Sequence, residues 1–203
     1  MITSKAFAGK RYAVLGLARS GAASVEALMA SGAEVVAWDR QDIAREPFEG
    51  RCRLANPLEI DLTGFAGVVV SPGIPLNTHP IRPHAEKFGV PVIGDIELFA
   101  LARGDLPEHK VVGITGTNGK STTTALVHHI LELAGIPSVM GGNIGEPILG
   151  RDPLEPNQSG VGIYVLELSS YQLDLTRSLA CEAAALTNIT PDHLDRYDGF
   201  EDY

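Results

Sequence analysis

Cysteine is nearly missing from this 203-residue chain: Cys52 and Cys181 stand far apart, with no CxxC or Cys/His spacing. That excludes a disulfide framework and a structural zinc site, and leaves both residues expected as buried free thiols. Long apolar runs are missing too. No stretch approaches the roughly 20 residues that a membrane-spanning helix needs. The start, MITSKAFAGKRYAV, has neither the apolar stretch nor the small-residue cleavage site of a signal peptide. A cytoplasmic protein without membrane insertion is therefore expected. Basic residues are also short: 16 Lys and Arg against 25 Asp and Glu leave a formal charge of -9. Binding along a phosphate backbone draws on Lys and Arg in bulk, so no nucleic-acid partner is expected. Any anionic ligand must be held locally, by a few cations and backbone N–H groups.

What is present is a chain with 44% hydrophobic residues, arranged as β-favouring runs that alternate with helix-patterned segments. This is the pattern of an α/β fold with mainly parallel sheets. RYAVLGL reads as a strand, ARSG as a turn, AASVEALMASG as a helix ended by Gly32, and EVVAW as the next strand. GVVVSPG is a further strand ending in a turn, HPIRPHAEKFG is helical from about Ile81, PVI is a short strand, and DIELFALA is a helix with Asp95 as its N-cap. The polar stretch around 104–109 is the expected linker. It divides a Rossmann-like unit over 1–103 from a P-loop-type α/β unit over 110–203, which has few strands and ends on PDHLDRYDGFEDY as if entering another helix. A fragment, with exposed apolar surface where the second unit is incomplete, is the expectation.

The second unit opens on VVGITGTNGKSTTTALV, apolar residues running through glycines into a helix. Backbone N–H groups of such a loop can converge on a phosphate, and the helix start adds free donors and partial positive charge. Gly116 and Gly119 permit the turn, Lys120 adds a full charge, and the Ser121 hydroxyl is placed for a phosphate-bound Mg²⁺. The general phosphate-loop pattern is missed, because Ile114 stands where its first glycine belongs. Read alone, the stretch could also be a plain glycine-rich strand-to-helix turn.

TGTNGKST resembles the ATP loop of the Mur ligase family and of the related folylpolyglutamate synthetases. SPGIP at Ser71, GDIELF at Gly94, GGNIG at Gly141, YVLELSSYQL at Tyr164 and TNITPDHLDRY at Thr187 strengthen the resemblance to the Mur ligases, in order and spacing, over essentially the whole chain. The branch resembled is the one that joins D-glutamate to UDP-N-acetylmuramoyl-L-alanine. The resemblance implies ATP and Mg²⁺ as cofactors, these two molecules as partners, and a reaction through an acyl phosphate. It also implies a third domain, absent here, so that residues 1–203 alone are expected to be inactive.

Site residues follow from the same resemblance. Gly116, Thr117, Asn118, Gly119, Lys120, Ser121 and Thr122 are implied to hold ATP. The turn Gly16 to Gly21 lacks the dinucleotide GxGxxG spacing because position 18 is Ala; Arg19, Ser20 and Gly21 are implied to meet the uridine diphosphate instead. Asp39, Arg40 and Gly73 are implied at the uracil end, and Asn143 at the substrate. Asp39 could equally be a solvated strand-end carboxylate, and Asn143 a loop residue tolerant of left-handed backbone. Glu167 ends an otherwise apolar strand, which makes it a metal-site candidate or one half of a buried salt bridge. The family pattern assigns Glu167, with Ser121, to Mg²⁺, and His193 to a second Mg²⁺ site shared with a carbamylated lysine past Tyr203. Lys120, Glu167 and His193 are the implied catalytic set. His128 and His129, adjacent on one helix, are expected to be structural.

Two other readings stay open. A folylpolyglutamate synthetase is disfavoured because Ser121 follows Lys120 directly, and a nucleotide-binding module without ligase activity would suit these residues alone.

Overall fold

The computed structural model describes residues 1–203 except 198 and 202. The first five strands are β1 (Arg11–Leu15), β2 (Glu34–Trp38), β3 (Arg53–Leu54), β4 (Phe65–Val70) and β5 (Val92–Ile93). They form one parallel sheet in the order β3-β2-β1-β4-β5. Between and after them lie α1 (Arg19–Ala30), α2 (Asp42–Arg45), α3 (Ile81–Glu86) and α4 (Asp95–Ala102). The second sheet, also parallel, has the order β7-β8-β6-β9, from β6 (His109–Thr115), β7 (Ser138–Gly142), β8 (Gly162–Glu167) and β9 (Ala183–Leu186). Its helices are α5 (Lys120–Leu133) and the single turn α6 (Ser170–Leu173). Among the described residues no helix is long and apolar enough to cross a membrane.

Local chemistry accounts for these elements. β4 carries the run Val68 to Val70, buried on both faces as a central parallel strand requires. α1 buries Val25, Ala27 and Leu28 and stops at Ser31, with Gly32 beyond it at φ +80°. Three expectations need correction. Helix α1 begins at Arg19 rather than Ala22, because the turn is only three residues long. Asp95 is the first helical residue and Gly94 the cap, so Asp95 goes into the core instead of toward the free N–H groups. Cys52 and Cys181 are half-buried free thiols, not buried ones.

One apolar core runs through both sheets. Phe99 of α4 lies edge-on to Tyr164 of β8, ring centroids 5.0 Å apart, and Tyr164 meets His109 at 5.2 Å. Ile148 and Leu149, on the path from β7 to β8, are buried in the same cluster as Val25, Leu28 and Leu98. Burying side chains of this size contributes about 1.5–3 kcal/mol each. Polar ties reinforce the junction: Glu97 accepts from the N–H groups of Arg177 and Ser178 at 2.6 and 2.8 Å. The stretch 104–109 holds the end of a 3₁₀ turn, Arg103–Asp105, and the first residue of β6. By contrast β9 is exposed along all four residues, and Leu126, Ile130 and Leu133 form an exposed stripe on α5.

Candidate functional site

In a sheet ordered β3-β2-β1-β4-β5 the chain leaves β1 and β4 in opposite directions, and a crevice opens at their carboxyl ends. A cleft of about 390 Å³ lies there, within the usual size of a ligand site. Arg19, Ser20, Asp39 and Gly73 line it from the first unit, and Asn143, Gly145 and Gln172 from the second. A neighbouring recess of about 320 Å³ is lined by Asp39, Arg40, Gly73 and His79. Burial first, and then the Arg40 charge, hold the His79 imidazole below its ordinary value.

The turn after β1 is shaped by close packing. A Cβ on Gly21 would stand 1.8 Å from the Gly16 carbonyl oxygen, so only glycine lets α1 sit this near β1. Both Asp39 oxygens accept backbone N–H groups, from Leu17 at 2.7 Å and Gln41 at 2.9 Å. Its carboxylate is therefore a tether for the turn rather than merely solvated. The Ser71 hydroxyl donates to the Gly16 carbonyl at 2.8 Å, joining this turn to the one after β4. Helix α1 has no side-chain cap, which leaves its first N–H groups open to an anion. Arg19 reaches across the cleft and donates to the Gly145 carbonyl.

The loop after β6 is built differently. Gly116 has φ +133°, and a Cβ there would meet Thr187 Oγ1 at 2.2 Å. Gly119, at φ +84°, is the left-handed residue that starts α5, with open space where a Cβ would be. Thr117 N–H donates to the Asn188 carbonyl and Asn118 N–H to Asn188 Oδ1, each at 3.0 Å. These two N–H groups are occupied by protein, so the expectation that the whole loop offers donors to phosphate is too broad. The N–H groups left free are those of residues 119–122, where the helix begins and, among the described residues, no acceptor is found. Lys120 Nζ folds back to the carbonyls of Gly116 and Thr117 at 2.7 and 2.9 Å. Ser121 and Thr122 follow it in the first turn of α5.

Glu167 ends β8 beside Ile114 of β6, which brings its carboxylate to the base of this loop. It is 2% exposed. Oε1 accepts from the Asn143 amide at 3.0 Å, while Oε2 is buried with no hydrogen-bond partner. Among the described residues no cation pairs with it, so the salt-bridge alternative gives way to a carboxylate held by one amide. Gly142 makes this possible: a Cβ there would lie 2.1 Å from the Glu167 carbonyl oxygen. The bare acidic oxygen of Glu167 and the Ser121 hydroxyl, in the first turn of α5, are hard donors of the kind that suit Mg²⁺, so the residues present fit that ion. Among the described residues no group of three His, Cys, Asp or Glu converges as a ready-made metal cage.

His193 is exposed, in left-handed backbone at φ +52°, with its ring 5.0 Å from that of Tyr171. Its Nε2 lies 3.6 Å from Asp192 Oδ2. His128 bonds the Ser138 hydroxyl at 2.9 Å, a packing contact on α5.

Sequence reasoning took Asp95 for a helix cap and overlooked Gln172. The Gln172 side chain accepts from Ser169 N–H at 3.2 Å and donates to Asp95 Oδ1 at 3.5 Å, while Asp95 Oδ2 is buried without a partner. Burial pushes the Asp95 carboxyl above its ordinary value. The Ser169-x-x-Gln172 capping box was the available signal.

Residues 114–203 match the Mur ligase middle domain. Over its full length the chain is 70% identical to a protein of Novosphingobium aromaticivorans named UDP-N-acetylmuramoylalanine--D-glutamate ligase. This chain carries a Mur ligase middle domain. A protein of the same name from Sphingopyxis alaskensis is 69% identical, again over the whole chain. The chain spans 45% and 46% of the lengths of those two relatives. Among solved structures, UDP-N-acetylmuramate:L-alanyl-gamma-D-glutamyl-meso-diaminopimelate ligase from Neisseria meningitides aligns over 93% of this chain and 63% of its own, with TM-score 0.54 and 18% identity. At that identity the likeness is one of fold.

Proposed function

We propose that the full-length protein carrying this chain is an ATP-dependent ligase that joins UDP-N-acetylmuramoyl-L-alanine to D-glutamate. The observation that carries the reading is the bridge across the cleft. Asn143 lines the cavity that the first unit opens, and its amide holds Glu167 at the base of the glycine loop. A substrate whose nucleotide end lies against the β1 and β4 turns extends its other end toward that loop. The names of the two relatives support the choice of substrates.

In this reading Arg19, Ser20 and Gly21 receive the diphosphate at the open start of α1. Asp39, Arg40 and Gly73 form the uracil end, and Asn143 faces the muramoyl-alanine part. Gly116 to Thr122 hold ATP. Lys120 exchanges its two loop carbonyls for phosphate oxygens, and with the N–H groups of residues 119–122 it stabilises charge on the phosphoryl group as it passes to the substrate carboxylate. The D-glutamate amine then displaces that phosphate and the amide forms. Mg²⁺ supplies Lewis-acid polarisation when bound, and Ser121 and Glu167 are the residues that would hold it. His193 is assigned to a second such ion on the substrate side. For residues 1–203 alone we infer nucleotide binding without turnover, supported by the share of the relatives that they span.

The test is phosphate release by the full-length protein with ATP and the UDP substrate, comparing D-glutamate, L-alanine and L-lysine. Release is expected with D-glutamate alone. Release with either of the other amines and none with D-glutamate contradicts the reading.

A further inference from the structure

Residues 187–197 run from the glycine loop after β6 to the turn after β4, and among them the proposed catalytic set uses only His193. At the near end the segment is sewn to the glycine loop. Besides the two bonds from the loop N–H groups to Asn188, Thr187 Oγ1 and Asn188 Nδ2 donate to the Asn118 carbonyl at 2.7 and 2.9 Å. Thr190 N–H donates to Thr117 Oγ1 at 3.0 Å. At the far end it grips the turn after β4. Asn77 Nδ2 donates to the Asp195 carbonyl at 2.9 Å, and Arg196 Nη2 donates to the carbonyls of Pro72 and Gly73, each at 3.3 Å.

The Arg196 side chain is itself oriented. Its Cζ lies 4.2 Å from the centroid of the Tyr171 ring, a cation–π stack that fixes the plane of the guanidinium. Gly73, the residue it grips, has no heavy atom within 4 Å of where a Cβ would stand, so side-chain packing does nothing to hold it. A peptide unit is planar and trans, so a hydrogen bond to the Pro72 carbonyl points the Gly73 N–H the opposite way. Gly73 lines both the cleft and the neighbouring recess.

We propose that Arg196 is a positioning residue for the nucleotide-substrate end of the cleft: stacked on Tyr171 and tethered through residues 187–190 to the ATP loop, it fixes the Pro72–Gly73 peptide against which the substrate binds. This rests on the functional reading above, which places the uridine end of the substrate at Gly73. Lysine does not replace it, because an ammonium group cannot stack flat and span two carbonyls from one fixed plane.

The experiment uses the full-length protein with Arg196→Ala and Arg196→Lys. Calorimetry gives the affinity for UDP-N-acetylmuramoyl-L-alanine and, separately, for a non-hydrolysable ATP analogue, while amide hydrogen exchange follows Gly73 and Ile74. Both variants are expected to weaken the UDP substrate about tenfold, as loss of charge-assisted bonds implies. ATP-analogue affinity is expected to stay within about twofold, and exchange at Gly73 to quicken. Unchanged substrate affinity overturns the proposal, and so does equal weakening of both ligands, which is the mark of general destabilisation. Should Arg196→Ala fail to fold, Arg196→Lys decides alone. Failure of the unsubstituted protein to bind the UDP substrate overturns the functional reading and this proposal with it; binding that the variants leave intact overturns the proposal only.

Discussion

The turn after β1 and the loop after β6 stand at equivalent places, each between the first strand of a parallel sheet and a helix without a side-chain cap. They are made by opposite means. The first is closed by packing, with Gly21 against the Gly16 carbonyl and Asp39 as a local tether. The second has open space at Gly119 and is held by hydrogen bonds from a segment about 70 positions further along the chain. In the proposed reading the first turn meets its ligand preformed. The second contains a lysine bonded to its own loop, which must change partners when a phosphate arrives. On that reading, a uridine diphosphate that is only bound suits the rigid turn, and a phosphoryl group that is transferred suits the adjustable loop.

The comparison is broken most severely at Gly21. Gly21→Ala forces a methyl group onto a backbone oxygen and is expected to destabilise the protein by about 3 kcal/mol, the upper end for overpacking. Gly119→Ala meets no neighbour and carries only the left-handed backbone penalty, about 1 kcal/mol. Urea denaturation of the two variants measures the difference; equal losses would mean that the two turns are built alike.

A smaller effect comes from the acid beneath the first turn. Burial raises the folded-state pKa of Asp95 above its ordinary value. The folded protein then binds that proton more tightly than the unfolded chain. Its contribution to stability is full below the ordinary carboxylate value, 3.8, and is lost as pH rises through the raised one. Asp95→Asn keeps an acceptor for Gln172 and cannot ionise. Its thermal midpoint, measured against the unsubstituted protein, is expected to rise steadily as pH climbs from about 4 through the acid range; a pH-independent difference contradicts the assignment.

These contrasts also show what can be read from sequence. β1, β2 and β4 were legible because runs such as EVVAW and VVV have one period and strong turn residues at their ends. The glycine loop was legible as a tight strand-to-helix turn because its residues are contiguous. The two-residue strand β3 and the engagement of Thr117 and Asn118 were not, because both depend on partners distant in sequence. Asp95 misled for a related reason: an acid at a helix start reads as a cap, and only the packing of α4 against α1 and the turn at 148–150, with Gln172 beside it, turns it inward. Glu167 was recognised as unusual from its apolar strand, but its bare oxygen and its Asn143 partner required the fold.

In the proposed reading the site between Asn143 and the glycine loop is organised for phosphoryl transfer at the expense of its own stability, and Glu167 tests this most directly. Glu167→Gln keeps the shape and removes a buried charge that lacks a full set of partners. In the full-length protein, D-glutamate-dependent ADP formation and the thermal midpoint of the same variant are measured together. Loss of ADP formation by about a hundredfold or more, with a midpoint equal to or above that of the unsubstituted protein, is the result predicted. A lowered midpoint with ADP formation intact would show Glu167 to be a packing residue and would contradict the account.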